Sequence, residues 1–71
     1  MATSRNKFAR QIGSRISAIR GKAGLTQERC AWEAGLSKAY LSQIEAGKRL
    51  PSLPTLLALA ERLNVEVREF F

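Results

Sequence analysis

Residues 27–47 read QERCAWEAGLSKAYLSQIEAG, and this stretch decides the fold. Thr26 precedes it, and a threonine hydroxyl at that place can accept a hydrogen bond from the free N–H groups of a first helical turn. Gly35 interrupts it, because a residue without Cβ adopts the left-handed backbone of a helix end at least cost. Ser37 is a second N-cap signal just after the break. The stretch therefore predicts two short helices, over about 27–34 and 38–46, joined by a tight turn.

Side-chain size predicts how these two helices meet. Small residues at Ala31, Ala34 and Gly35 allow a close, nearly perpendicular crossing. Leu41 and Ile44 mark the buried side of the second helix, because they are spaced by three residues. That leaves short polar side chains and one cation turned outward. A helix held across another with such a face is typical of a DNA-reading helix-turn-helix.

The longer segment 25–56, LTQERCAWEAGLSKAYLSQIEAGKRLPSLPTL, resembles a known family. It is similar to the helix-turn-helix of phage Cro and repressor proteins and their bacterial relatives, often called the Xre family. The small controller proteins of restriction–modification systems are among them. The resemblance covers about residues 12–71. It implies an all-α, five-helix bundle of the lambda-repressor-like type that regulates transcription on double-stranded DNA.

The flanking segments predict the other helices of a single domain spanning residues 1–71. An apolar stripe of helical spacing predicts a first helix over about 5–23; it consists of Phe8, Ile12, Ile16 and Ile19. A fourth helix is expected after Ser52, with Pro54 in its first turn. Its predicted inner face consists of Leu53, Leu56, Leu57, Ala60 and Leu63. Asn64 is a plausible left-handed cap, and a short fifth helix is predicted near 67–71.

Composition limits the class of protein. Seventy-one residues with 45% hydrophobic content favour one compact domain over a disordered chain. No apolar run approaches the roughly 18 residues of a membrane span, and one cysteine forms no intrachain disulfide. The acid-free N-terminal segment also resembles a mitochondrial targeting peptide. We favour a core helix there, because its removal leaves about 48 residues without one wall of the core. A cytoplasmic, nucleoid-associated protein is expected.

Charge is distributed unevenly along the chain. Lysine and arginine total 12 against six acidic residues, giving a net charge of +6. Six cations and no acidic residue precede Glu28; they are Arg5, Lys7, Arg10, Arg15, Arg20 and Lys22. A one-sided basic domain suggests a polyanionic partner. The alternative is a solvated cationic face that aids solubility.

The resemblance implies which residues read DNA bases. The second helix of the motif lies in the major groove, and its groove-facing positions are Ser37, Lys38, Ala39, Ser42 and Gln43. Lys38 can donate to guanine, Gln43 can pair with adenine, and Ala39 can touch a thymine methyl group.

Other residues are implied to bind phosphates, namely Arg20, Gln27, Tyr40, Lys48, Arg49 and Ser52. Gln27 lies beside free N–H groups that favour an anion, although an ordinary exposed helix start is the alternative. Tyr40 has the alternative of packing partly into the core. For Arg5, Lys7, Arg10 and Arg15, both DNA contact and simple solvation stay open.

Two further features follow from the resemblance. Arg20 and Glu45 fill the positions of an ion pair that ties the first helix to the reading helix. Family members usually bind as two-fold dimers, with reading helices about 34 Å apart. The predicted dimer surface consists of Leu59, Val65, Val67, Phe70 and Phe71. Phe71 is the expected exposed anchor; the alternative is that Phe71 folds back and the protein is a monomer.

Other functions are less well supported by the residues. An antitoxin-like module that binds a protein and represses its own operon is the main alternative, and binding of helix 1 to anionic membranes is a third. The sequence has no histidine, no aspartate and no phosphate-binding glycine loop, which disfavours an enzyme. We expect no cofactor, metal or small-molecule ligand. Cys30 departs from the family pattern as a small buried residue. Trp32 also departs, and either covers the first helix or joins an interface.

Overall fold

The computed structural model describes residues 4–71, which form α1 (Ser4–Lys22), α2 (Gln27–Ala34), α3 (Lys38–Glu45), α4 (Leu53–Leu63) and a 3₁₀ helix (Val67–Phe70). The all-α class is confirmed. The expected count of five helices is not, since the described residues contain four α-helices and one turn of 3₁₀ helix. Four residues close a 3₁₀ turn with i to i+3 hydrogen bonds but are too few for a lasting α-helix.

Local capping sets the helix boundaries. The Thr26 hydroxyl accepts a hydrogen bond from the Arg29 N–H at 3.0 Å, and the Ser37 hydroxyl accepts one from the Tyr40 N–H at 3.0 Å. Gly35 ends α2 with a left-handed φ of 77°. These are the positions that the sequence predicts, and α2 and α3 begin and end within one residue of the predicted limits.

One hydrophobic core joins all five elements. Its buried side chains are Ile12, Ile16, Cys30, Ala31, Leu41, Ile44, Leu56, Leu59, Ala60, Leu63 and Phe70. Cys30 is fully buried, and this burial raises the pKa of its thiol above the ordinary value. The thiol is therefore neutral at physiological pH and behaves as a small apolar side chain.

The rotation of α4 differs from the prediction. Leu53 and Leu57 were expected inside but are 61% and 51% exposed, whereas Leu59 is fully buried. The helix contains five leucines in eleven residues, so its sequence supports more than one apolar stripe. Contacts with α2 and the 3₁₀ helix select the stripe that includes Leu59.

Two glycines hold α1 against the end of α3. A Cβ at Gly13 would lie 2.1 Å from the carbonyl oxygen of Ile44, so only glycine permits this crossing. Gly47 has a φ of 75°, and a Cβ there would lie 2.9 Å from the Cα of Arg10. The turn after α3 consequently rests directly on the first half of α1.

No helix within residues 4–71 is both long enough and apolar enough to cross a bilayer.

Candidate nucleic-acid interface

Helix α3 separates its buried and exposed residues sharply. Leu41 and Ile44 are fully buried, which fixes the rotation of the helix. The five positions predicted to read bases are all exposed; they are Ser37, Lys38, Ala39, Ser42 and Gln43. They offer a cation, an amide and hydroxyl groups, the kinds of group that recognise base edges. The Ser37 hydroxyl also caps the helix.

Glu45, at the end of α3, is the centre of a hydrogen-bond cluster. Its carboxylate accepts from the Arg20 Nε at 2.6 Å and from the Arg20 Nη2 at 3.0 Å, a two-point ion pair. The Arg20 Nη1 donates to the Leu25 carbonyl oxygen at 2.6 Å. Only 5% of the Glu45 side chain and 17% of the Arg20 side chain are exposed. The hydrogen bonds to Glu45 raise the pKa of Arg20, and they outweigh the opposing effect of burial.

Gln27 belongs to the same cluster, a link that the sequence analysis missed. Its Nε2 donates to the Glu45 Oε1 at 2.8 Å. A carboxylate is only an acceptor, so the amide nitrogen and not the amide oxygen must face Glu45. The second N–H of that nitrogen is left for another acceptor. Gln27 is half-buried and oriented, unlike an ordinary exposed helix start.

Tyr40 and Ser52 belong to a second polar cluster, beside the start of α4. The Tyr40 hydroxyl lies 3.4 Å from the Thr55 Oγ1, and the Ser52 hydroxyl donates to the same oxygen at 3.0 Å. The Arg49 Cζ lies 5.3 Å from the centroid of the Tyr40 ring, a cation–π distance. The partial core burial of Tyr40 weighed in the sequence analysis is present, because the ring packs against the core.

Other basic residues of the candidate interface lie in the turn after α3 and on α1. Lys48 and Arg49 are exposed in the turn after α3. Arg5, at the start of α1, lines one groove with both of them. Lys7, Arg10 and Arg15 are also exposed, and none of the three is among the residues that line this groove.

Residues 16–70 match the helix-turn-helix family HTH_3, which is more than half of the chain. The chain belongs to this helix-turn-helix family. Among curated relatives, it is 46% identical over 56 residues to the immunity repressor protein of Bacillus phage phi105. It is 43% identical over 54 residues to the uncharacterized HTH-type transcriptional regulator y4dJ of Sinorhizobium fredii. The resemblance inferred from the sequence is thereby confirmed.

The matches differ in how much of each relative they span. They cover 79% of this chain but 39% of the phage repressor, and 76% of this chain and 70% of y4dJ. The relatives include repressors and transcriptional regulators, a non-enzymatic class.

Solved structures of this helix-turn-helix family superpose closely. The restriction–modification controller protein C.AhdI from Aeromonas hydrophila is 38% identical with a TM-score of 0.86, and the match covers 89% of this chain and 96% of that protein. An HTH_3 family transcriptional regulator from Vibrio cholerae gives 34% identity and a TM-score of 0.90, over 96% of this chain and 38% of that one. These proteins share the fold of this chain.

The predicted dimer surface of this helix-turn-helix protein needs correction. Leu59 and Phe70 are fully buried in the core, so neither can contact a second protein molecule. Val65 and Val67 are half-buried against the core. Phe71 is 45% exposed, and its ring centroid lies 5.9 Å from that of Phe8, which is 43% exposed. Phe8 was predicted to lie in the core, because it begins the apolar stripe of α1, and so it was not among the residues of the predicted dimer surface.

Two surface features lie away from α3. Trp32 is 77% exposed, so it does not cover the apolar side of α1. Glu33 forms ion pairs with Arg62 of α4 and, at 3.5 Å, with Arg29 of its own helix. The pairing of Glu33 with Arg62 ties α2 to α4 across 29 residues of sequence, a separation that no local pattern could have revealed.

Proposed function

We propose that this protein is a sequence-specific transcriptional regulator that binds double-stranded DNA as a homodimer, with α3 in the major groove. The observation that carries the proposal is the exposed polar face of α3 above a fully buried Leu41 and Ile44. A reading helix must present the same side chains to every operator, and burial of two large residues fixes that presentation. Membership of a family of repressors supports the same activity.

The hydrogen-bond cluster around Glu45 supports contacts of fixed geometry with the DNA backbone. Arg20 and Gln27 come from α1 and α2, and both are oriented by a carboxylate at the end of α3. Fixed donors lose little conformational entropy when a phosphate binds, so they set the register of the reading helix. Arg20 and Gln27 thus hold α3 in the groove, while Lys38 and Gln43 read bases.

Dimerisation follows from the size of the reading element. An eight-residue helix is about 12 Å long and spans only a few base pairs. Two copies on a two-fold operator double the sequence read and place the helices about one DNA turn apart. The exposed pair Phe8 and Phe71 supplies an apolar surface for the contact, together with the accessible parts of Val65 and Val67.

Selection of bound duplexes from a random DNA pool tests the proposal. We expect a two-fold symmetric site with half-sites about one turn apart. On that site, Lys38→Ala and Gln43→Ala should each cost about 1–3 kcal/mol and relax the preference at one base position. Lys22→Ala is the matched control, because it removes an exposed cation outside α3 and should leave every base preference unchanged. Enrichment of no sequence would contradict the proposal and would leave only a non-specific polyanion surface.

Phe71→Ala should convert the dimer to a monomer. Truncation of a central aromatic anchor costs about 2 kcal/mol or more, so the dimer dissociation constant should rise about 30-fold. Sedimentation equilibrium over a range of protein concentrations measures this change directly. Trp32→Ala, which removes the other strongly exposed aromatic, should leave the dimer intact. A wild-type protein that sediments as a monomer at high concentration, or dissociation caused by the Trp32 change instead, would exclude this surface.

A further inference from the structure

A groove lies between the start of α1 and the turn that follows α3. Its volume is about 370 Å³, and it is lined by Arg5, Asn6, Ala9, Gly47, Lys48, Arg49 and Leu50. Three of these seven residues are cations and none is acidic. Arg5 is separated from Lys48 and Arg49 by more than 40 residues of sequence, so the fold alone brings the three charges together.

Gly47 is the reason that the two sides of the groove meet. Its left-handed backbone turns the chain back on α1, and a Cβ there would lie 2.5 Å from the Arg10 Cγ. Any larger residue would push the turn away from the helix. Lys48 and Arg49 follow immediately, and the close contact therefore holds both of them beside the first turns of α1.

The positive charge of this groove is not balanced by an acidic residue among those that line it. A second groove is lined by Glu28 as well as Arg29, and a third contains Arg62 with Glu33 and Glu61. Arg5, Lys48 and Arg49 have no carboxylate beside them in the groove that they line. Their mutual repulsion is relieved by a bound anion, which gives the site a preference for negatively charged ligands.

Arg49 connects the groove to α3. Arg49 lies over the ring of Tyr40, a residue of α3, and also lines the groove. A DNA backbone lying against this end of α3 would therefore pass close to the groove that Arg49 shares with Lys48 and Arg5. The guanidinium group of Arg5 can bind two phosphate oxygens at once, a geometry that an ammonium group does not match.

We propose that this groove binds one phosphodiester of the DNA backbone, and that Arg5 is a DNA contact from α1. The inference rests on the proposed function. It separates Arg5 from the other cations of the N-terminal segment. Lys7 lies two residues along the helix from Arg5, so the two side chains point in very different directions. Lys7 belongs to the solvated face.

The test compares the salt dependence of DNA binding by Arg5→Gln and by Lys7→Gln. Both changes remove one exposed positive charge near the same end of α1. The slope of log K against log salt is negative, and loss of one phosphate contact reduces its magnitude by about 0.9. The affinity ratio of wild type to Arg5→Gln should therefore shrink about 3.5-fold between 50 and 200 mM salt, equally for selected and random duplexes. For Lys7→Gln the ratio should stay nearly constant.

The outcomes separate this inference from the proposed function. If wild type selects an operator but both variants show its salt slope, Arg5 contacts no phosphodiester, this inference is wrong and the regulator proposal stands. If wild type does not bind duplex DNA, both fail. The alternative ligand is a free inorganic anion. A thermal-shift titration with inorganic phosphate at constant ionic strength tests for it. Stabilisation that depends on Arg5, combined with an unchanged DNA slope, would overturn the assignment to DNA and leave a free-anion site.

Discussion

Gly13→Ala should destabilise the protein by about 2 kcal/mol or more, although alanine normally favours a helix. The added Cβ would lie 2.1 Å from the Ile44 carbonyl oxygen and 3.1 Å from that of Glu45. Both obstacles are backbone atoms of α3, so no side-chain rotation relieves the overlap. Overpacking of this kind costs about 3 kcal/mol, and the better helix propensity of alanine returns about 1.

This loss is a large part of the total stability. A domain of 71 residues has an unfolding free energy of about 4–10 kcal/mol. Separation of α1 from α3 would also shift Glu45, so DNA affinity should fall with stability. We expect few other additions of a single methyl group to lower the free energy of unfolding of this protein by as much.

Gly21→Ala on the same helix is the matched control. A Cβ there meets no atom within 4 Å, and the backbone is helical. This variant should therefore gain about 0.5–1 kcal/mol from reduced freedom of the unfolded chain. Urea unfolding followed by circular dichroism should separate the two midpoints by about 2 M. Equal or higher stability of Gly13→Ala would mean that α1 and α3 do not approach this closely.

Glu45→Gln should lower both stability and DNA affinity. The carboxylate accepts three hydrogen bonds, two from Arg20 and one from Gln27. A neutral amide leaves the largely buried Arg20 guanidinium without its counter-charge, which costs about 3 kcal/mol. DNA affinity should fall about tenfold or more, because Arg20 and Gln27 are no longer oriented.

The direction in which Glu45→Gln changes DNA affinity distinguishes a positioning role from a simple effect of net charge. Glu45→Gln raises the net charge from +6 to +7, so long-range electrostatics alone would tighten DNA binding. Glu61→Gln makes the same change at an exposed position of α4 and is the matched control. It should leave stability within about 0.5 kcal/mol and should not weaken DNA binding. Equal DNA affinity of the two variants would exclude a positioning role for Glu45.

A double variant separates folding from DNA binding. Arg20→Met combined with Glu45→Met replaces the ion pair with apolar side chains, a change that often leaves stability unchanged. We expect the double variant to regain most of the stability that Glu45→Gln loses, whereas its DNA affinity should stay as low as that of Glu45→Gln. Filter-binding or fluorescence titration at a fixed salt concentration measures the affinity, and thermal unfolding measures the stability.

Much of the candidate interface could be predicted because its signals are local. The exposed face of α3 follows from Leu41 and Ile44, whose burial is fixed by their spacing on one short helix. The proposed dimer surface was harder to predict. Phe70 and Phe71 are adjacent and both aromatic, yet one is fully buried and the other is 45% exposed. Which of the two enters the core depends on the direction in which the 3₁₀ helix meets α1.

The sequence by itself determined the helix-turn-helix. Thr26, Gly35 and Ser37 act through hydrogen bonds and backbone angles within a few residues, so they need no partner from elsewhere in the chain. Only the tertiary structure decided that Leu59 rather than Leu57 is buried and that Gln27 meets Glu45. Those contacts join segments far apart in the chain. They depend on the space and hydrogen-bonding groups left by neighbouring helices, which a pattern along one helix does not contain.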